Sequence, residues 1–152
     1  MLDKKSVYID TSVLIKRFVE EAYSSQVDTF FEKSFNYVLS DLVILEFDCA
    51  LRRILRNGKI TQEYRLKAEQ TLAEQIDTKW FEKVAASSQT IKEAKKLIEK
   101  VSPLSLRSLD AIHLSIIRDH QITQLATADI EMLQAAEKLG ITTHYFNKQI
   151  AQ

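Results

Sequence analysis

The sequence predicts an α/β domain on a parallel sheet, and three observations carry that reading. Five short apolar segments alternate with longer stretches of helical periodicity, the pattern of strand–helix–strand units whose sheet is covered on both faces. Glycine and proline number only 2 and 1, which disfavours an all-β fold with many tight turns. The 152 residues, 45% hydrophobic and 28% charged, suit one globular domain spanning positions 1–152.

The elements follow in order. Ser6 to Ile9 is short, apolar and β-branched, a buried strand ending at Asp10. Thr11 or Ser12 can cap the next helix, whose apolar face holds Val13, Leu14, Phe18 and Val19. A second helix is expected from Ser24 to Lys33, with Val27, Phe30 and Phe31 inward, then a strand at Tyr37 to Leu39. Ser40 or Asp41 caps a long helix that Asn57-Gly58 stops. Thr61 to about Gln75 is a charged amphipathic helix without the acid of a full capping box. A strand at Thr78 to Val84 and a helix from Ser88 to Val101 come next, and Pro103 ends that helix. The remainder predicts helix from Ser105 to about His120, strand from Ile122 to Thr127, helix from Ile130 to Leu139 closed by Gly140, and strand from Ile141 to Tyr145. No linker or repeat divides the pattern.

Composition removes several function classes. Lys+Arg 21 balance Asp+Glu 21, so any contact with a polyanion depends on local patches. The basic run Arg52, Arg53, Arg56 and Lys59 is read first as a solvated helix face. The lone Cys49 excludes an internal disulfide and is expected as a small core residue. Asp10 interrupts the first apolar stretch, so neither a signal peptide nor a membrane span is expected, and a cytoplasmic location follows. Two glycines cannot supply a dinucleotide-binding turn or a P-loop. An aspartyl-phosphate phosphatase would need an acid where Ser12 stands.

Four acids remain, each in an apolar setting: Asp10 in Tyr8-Ile9-Asp10-Thr11-Ser12, Glu46 in Leu45-Glu46-Phe47, Asp110 in Ser108-Leu109-Asp110-Ala111-Ile112-His113-Leu114, and Asp129 in Ala126-Thr127-Ala128-Asp129. Asp10 and Asp129 directly follow strands, at the rim where parallel sheets bind ligands, and Glu46 and Asp110 lie in the early turns of helices. Two carboxylates about 4 Å apart repel by about 4 kcal/mol at an effective dielectric of about 20, and a divalent cation reverses that sign. Each acid also has a bland reading. Asp10 and Asp129 can cap helices, Asp110 can favour a helix N-terminus, and Glu46 can sit at a helix surface. Leu42, Glu46 and Cys49 share one face by spacing, which would bury Glu46. His113, one turn after Asp110, reads as a packed core histidine bonded to backbone rather than as a ligand.

Together, these segments resemble the PIN-domain nucleases, particularly the VapC-type toxins of toxin–antitoxin pairs. The likeness runs through Ser40-x-x-Val43-x-x-Glu46 and Leu106-Arg107-Ser108-Leu109-Asp110-Ala111-Ile112-His113-Leu114 to Ala135-Ala136-Glu137-Lys138-Leu139-Gly140-Ile141, with Ser115 where alanine is more usual. The resemblance implies a three-layer α/β/α domain with a central parallel sheet of about five strands. It also implies an endoribonuclease whose Asp10, Glu46, Asp110 and Asp129 line one Mg²⁺- or Mn²⁺-binding site, with RNA as substrate. Thr11 and Thr127 are placed to support a carboxylate or phosphate. As partners it implies a second copy in a homodimer and a cognate antitoxin protein, and bulky Phe30, Phe31, Tyr64 and Leu72 are candidates for that contact. The competing readings are a non-catalytic protein-binding module with the same pocket and a housekeeping RNA-processing nuclease.

Overall fold

A computed structural model describes residues 5–149. Its elements are β1 (Ser6–Ile9), α1 (Thr11–Phe18), α2 (Ser24–Phe30), β2 (Asn36–Ser40), α3 (Asp41–Arg56), α4 (Gln62–Asp77), β3 (Phe81–Val84), α5 (Ser88–Lys100), α6 (Ser108–Asp119), β4 (Gln124–Thr127), α7 (Ile130–Lys138) and β5 (Thr142–Tyr145). The strands form one parallel sheet in the order β3-β2-β1-β4-β5. The three-layer α/β/α architecture is therefore present. Connections that run in opposite directions along a sheet place their helices on opposite faces. Accordingly α1 packs on α2 and α3, α3 packs on α4, and α5 packs on α6.

Strand order reverses between β1 and β4, whose register pairs Ile9 with Ala126. The next residue along, Asp10, donates its backbone N–H to the Ala126 carbonyl at 3.0 Å. The carboxyl ends of the two central strands thus open a crevice with Asp10 at its floor, the usual ligand position in such sheets. Val7, Tyr8, Ile9, Leu39, Leu125 and Ala126 are fully buried, as expected for strands covered on both faces.

Local signals place most element ends. Ser40 caps α3 by accepting the Val43 N–H at 3.1 Å, and Thr61 caps α4 through the Tyr64 N–H. Gly58 and Gly140 take positive φ after α3 and α7, where a side chain would be strained. Some expected boundaries are corrected. Asp10 rather than Thr11 or Ser12 holds the N-cap of α1, without a side-chain cap bond. The Tyr37 hydroxyl donates to the Phe30 and Lys33 carbonyls, which closes α2 at Phe30 instead of Lys33. Lys79 turns left-handed after α4, so β3 begins at Phe81 and not at Thr78. The last long helix begins at Ser108 and not at Ser105.

Two packing expectations also change. The buried stripe of α3 is Val43, Phe47, Ala50 and Leu51, so the Leu42–Glu46–Cys49 face lies to its side. Cys49 is exposed and not in the core, while Glu46 sits half-buried at the stripe's border, where it can reach the crevice. Phe30 and Phe31 belong to the main core and are not available to a partner, Leu72 is buried but lines a groove between α3 and α4, and Tyr64 is exposed. Phe30 and Phe31 join Phe35, Tyr37, Trp80, Phe81 and Phe146 in an aromatic cluster that uses up their surface.

Candidate metal centre

Asp10, Ser12, Glu46, Arg107, Asp110, His113 and Asp129 line one cleft of about 500 Å³ at the carboxyl ends of β1 and β4. All four sequence-predicted acids are brought to it. Ligand atoms of Asp10, Glu46 and His113 lie within 4.8 Å of one another. Asp110 and Asp129 form the other side of the cleft, tied together by an arginine.

Hydrogen bonding divides each central carboxylate into a held oxygen and a free one. Asp10 Oδ2 accepts from Ser12 Oγ at 2.9 Å and Thr127 Oγ1 at 2.8 Å, while Oδ1 has no hydrogen-bond partner among the described residues. Glu46 Oε1 accepts from Thr11 Oγ1 at 2.8 Å and from His113 Nε2–H at 2.6 Å, and Oε2 has no such partner. Two donors exhaust one oxygen and aim its neighbour. The tie follows from sequence position. Thr127 ends β4 beside the end of β1, and Thr11 begins α1 one residue past Asp10.

The charges of these acids are unevenly stabilised. Burial raises the Asp10 pKa above the ordinary carboxylate value, with His113, Thr127 and Ser12 opposing and Glu46 adding to the rise. Burial alone would raise Glu46 too, yet the His113 hydrogen bond and charge, with the Thr11 hydroxyl, leave it lowered. Burial and the neighbouring Asp129 raise Asp110 against the opposing charge of Arg107. Burial would lower His113, but Glu46, Asp10 and Asp110 outweigh that and leave it raised. A buried carboxylate held above its ordinary pKa beside a second acid is a site short of positive charge. The two aimed, partnerless oxygens are hard donors suited to Mg²⁺ or Mn²⁺. The residues fit a divalent ion.

Asp129 divides its oxygens differently. Oδ1 caps α7 by accepting the Glu131 N–H at 2.9 Å, and Oδ2 pairs with Arg107 at 3.1 Å. Its capping and cleft readings therefore coexist. His113 is buried as expected, but its partners are the side chains of Glu46 and Tyr8 and not the backbone. Arg107, which reaches Asp110 at 3.4 Å, Asp129 at 3.1 Å and Glu131 at 3.7 Å, was not anticipated. Its i, i+3 spacing from Asp110 was the available signal. Ser12, Tyr8 and Ser40 were missed as supporting residues. Tyr8 and Asp10 share a strand face at i, i+2, which could have flagged the tyrosine.

These residues build a parallel α/β domain with an acidic cleft at the switch point of its sheet. The model for the PIN domain matches residues 7–138, and the chain belongs to the PIN domain family. A comparison with curated protein sequences returns no match. Among solved structures, VapC20 of Mycobacterium tuberculosis, described as a sarcin–ricin loop cleaving toxin, is 14% identical. The match covers 85% of this chain and 94% of that one, with a TM-score of 0.68. FitAcB from Neisseria gonorrhoeae is 12% identical over 90% and 95% of the two chains, with a TM-score of 0.66. VapBC2 from Rickettsia felis, bound to a promoter DNA fragment, is 10% identical over 93% and 98%, with a TM-score of 0.64. At such identities the likeness establishes a shared fold.

Proposed function

We propose that the protein is a Mg²⁺- or Mn²⁺-dependent endoribonuclease and the toxin of a toxin–antitoxin pair, acting in the cytoplasm. The observation that carries the reading is the pair of aimed, partnerless oxygens, Asp10 Oδ1 and Glu46 Oε2, at the switch point of a PIN-domain sheet. Asp10, Glu46 and Asp110 would hold the ion, and Asp129 would complete the site or serve a second ion. When bound, the ion supplies Lewis-acid stabilisation of charge on a scissile phosphate and eases the ionisation of water near neutral pH. Thr11 and Thr127 hold Glu46 and Asp10 in the presenting orientation. Arg107, at the mouth and with its side chain 70% exposed, can turn from the acids to an RNA phosphate.

Chelation should abolish cleavage of single-stranded RNA, and added Mn²⁺ should restore it. Undiminished cleavage in excess chelator would overturn the metal-dependent reading. The likeness in fold to VapC20, described as a toxin, supports an antitoxin partner. A groove of about 390 Å³ between α3 and α4, lined by the apolar Phe47, Leu72 and Ile76 and by three acids, Asp48, Glu69 and Asp77, against one base, Lys83, suits a basic amphipathic segment of that partner. Expression alone should arrest growth, and co-expression of the neighbouring small gene should relieve it. Harmless overexpression would leave a housekeeping nuclease. The pairing of Arg107 with Asp110 and Asp129 also supports a second reading, a module whose cleft receives a partner's arginine. RNA cleavage that survives every substitution at Asp10 would favour that module with a contaminating activity. A homodimer is proposed on the family likeness alone, and sedimentation tests it.

A further inference from the structure

Three elements bring the acids to the cleft: β1 leads to Asp10, α3 carries Glu46 and α6 carries Asp110. One buried chain of side-chain hydrogen bonds joins all three. Ser40 Oγ, the cap of α3, lies 2.7 Å from the Tyr8 hydroxyl of β1. That hydroxyl lies 2.6 Å from His113 Nδ1 of α6, and His113 Nε2 lies 2.6 Å from Glu46 Oε1. Ser40 and Tyr8 are fully buried and His113 is 1% exposed, so water does not compete for these bonds.

The proton inventory gives the chain a direction. At 2.6 Å a hydrogen must lie between His113 Nε2 and Glu46 Oε1, and a carboxylate can only accept, so His113 Nε2 carries it. Burial keeps the Tyr8 phenol protonated. With the imidazole neutral, if Ser40 donates to Tyr8, Tyr8 donates to Nδ1 and Nε2–H donates to Glu46, every hydrogen has an acceptor and Ser40 Oγ still caps α3. The reverse order leaves the Ser40 hydroxyl hydrogen without an acceptor among the described residues. The forward arrangement fixes the imidazole tautomer from the far end of the chain.

We infer that His113, fixed by Tyr8 and Ser40, is a positioning residue that makes Glu46 present Oε2 alone to the divalent ion, rather than a nitrogen ligand of that ion. The inference rests on the metal reading proposed above. Both lone-pair directions of Oε1 are taken, by His113 and by Thr11. Nε2 points its hydrogen, not its lone pair, at the carboxylate group. Only Oε2 is left to coordinate. Partners of this kind alter metal affinity by about 10- to 100-fold when removed.

The test measures Mn²⁺ binding by the electron paramagnetic resonance of free and bound ion, with electron spin-echo modulation to detect coordinated nitrogen. The wild type should bind Mn²⁺ without the coupling of a directly bound imidazole. His113→Leu should weaken binding at least about tenfold. His113→Gln, which keeps an N–H at similar reach, should recover most of the loss. Tyr8→Phe, a milder change for folding, should weaken binding by releasing the tautomer, and unfolding curves in chelator report whether each variant is folded. A directly bound nitrogen signal overturns the inference, as does unchanged affinity in folded His113→Leu or Tyr8→Phe. Wild-type protein that binds no Mn²⁺ overturns the metal reading itself, and with it this inference. Undiminished binding in Asp10→Asn would place the ion outside the cleft and overturn both the proposed site and this inference.

Discussion

At the scale of single residues, the cleft trades folding stability for an ion site. Burial raises the pKa of Asp10, and burial with Asp129 raises that of Asp110, so the folded state binds these protons more tightly than the unfolded chain. Their contribution to stability is full in acid and is lost as pH rises through the raised folded values. Asp10→Asn keeps a carbonyl for Ser12 and Thr127 but removes the buried charge. In chelator at neutral pH it should unfold at an equal or higher temperature than the wild type, and that advantage should shrink as pH falls. A large loss of melting temperature would make Asp10 structural. The same variant should lower RNA cleavage on the order of 100-fold or more, the scale of losing a main electrostatic group. Arg107→Ala removes an exposed cation that competes with metal for Asp110 and Asp129. It should tighten Mn²⁺ binding severalfold in calorimetry while hardly moving the unfolding midpoint, because exposed pairs contribute little. Weaker binding would show that Arg107 supports the ion site.

At the scale of elements, the carboxyl end of β4 anchors the site. Thr127 Oγ1 donates to Asp10 Oδ2 and accepts the Asp129 N–H at 3.1 Å, linking β1, β4 and the entry to α7. Thr127→Val keeps the shape but drops a hydrogen bond to a buried carboxylate, with an expected cost of about 1.5–3 kcal/mol. Thr127→Ser should recover much of it in denaturant titrations at neutral pH, and equal losses in the two variants would point to packing instead. Features of this kind were legible where the determinant is local. Ser40 and Thr61 as caps, Gly58 and Gly140 as stops, and acids directly after strands all follow from neighbouring residues. The α3 face was misread because Leu42, Glu46 and Cys49 fit a helical spacing as well as the true stripe of Val43, Phe47, Ala50 and Leu51. Only the sheet decides between two offset faces. The fate of Phe30 and Phe31 depended on Tyr37, Trp80 and Phe146, contacts made after β2, β3 and β5 assemble.

For the whole molecule, the four acids could be gathered from sequence because strand alternation puts the carboxyl ends of parallel strands on one rim. Their division of labour could not, since it depends on contacts between distant positions. Tyr8 meets His113 across 105 positions, and Arg107 meets Asp129 across 22. Because these contacts join β1, α3, α6 and the β4–α7 turn, an ion held at the cleft binds a surface that exists only in the folded chain. Ligand linkage then adds about 2.7 kcal/mol of stability when the ion is at a hundred times its dissociation constant. For a domain of this size each kcal/mol corresponds to about 2–4 °C, so saturating Mn²⁺ should raise the melting temperature by roughly 5–11 °C. The rise should grow with the logarithm of ion concentration and reverse with chelator. It should vanish in Asp10→Asn and persist in Leu66→Ala, an exposed position on α4 remote in role from the cleft. A rise of equal size in Asp10→Asn would mean that the ion binds outside the cleft, and the acidic crevice would then lose its place as the metal centre.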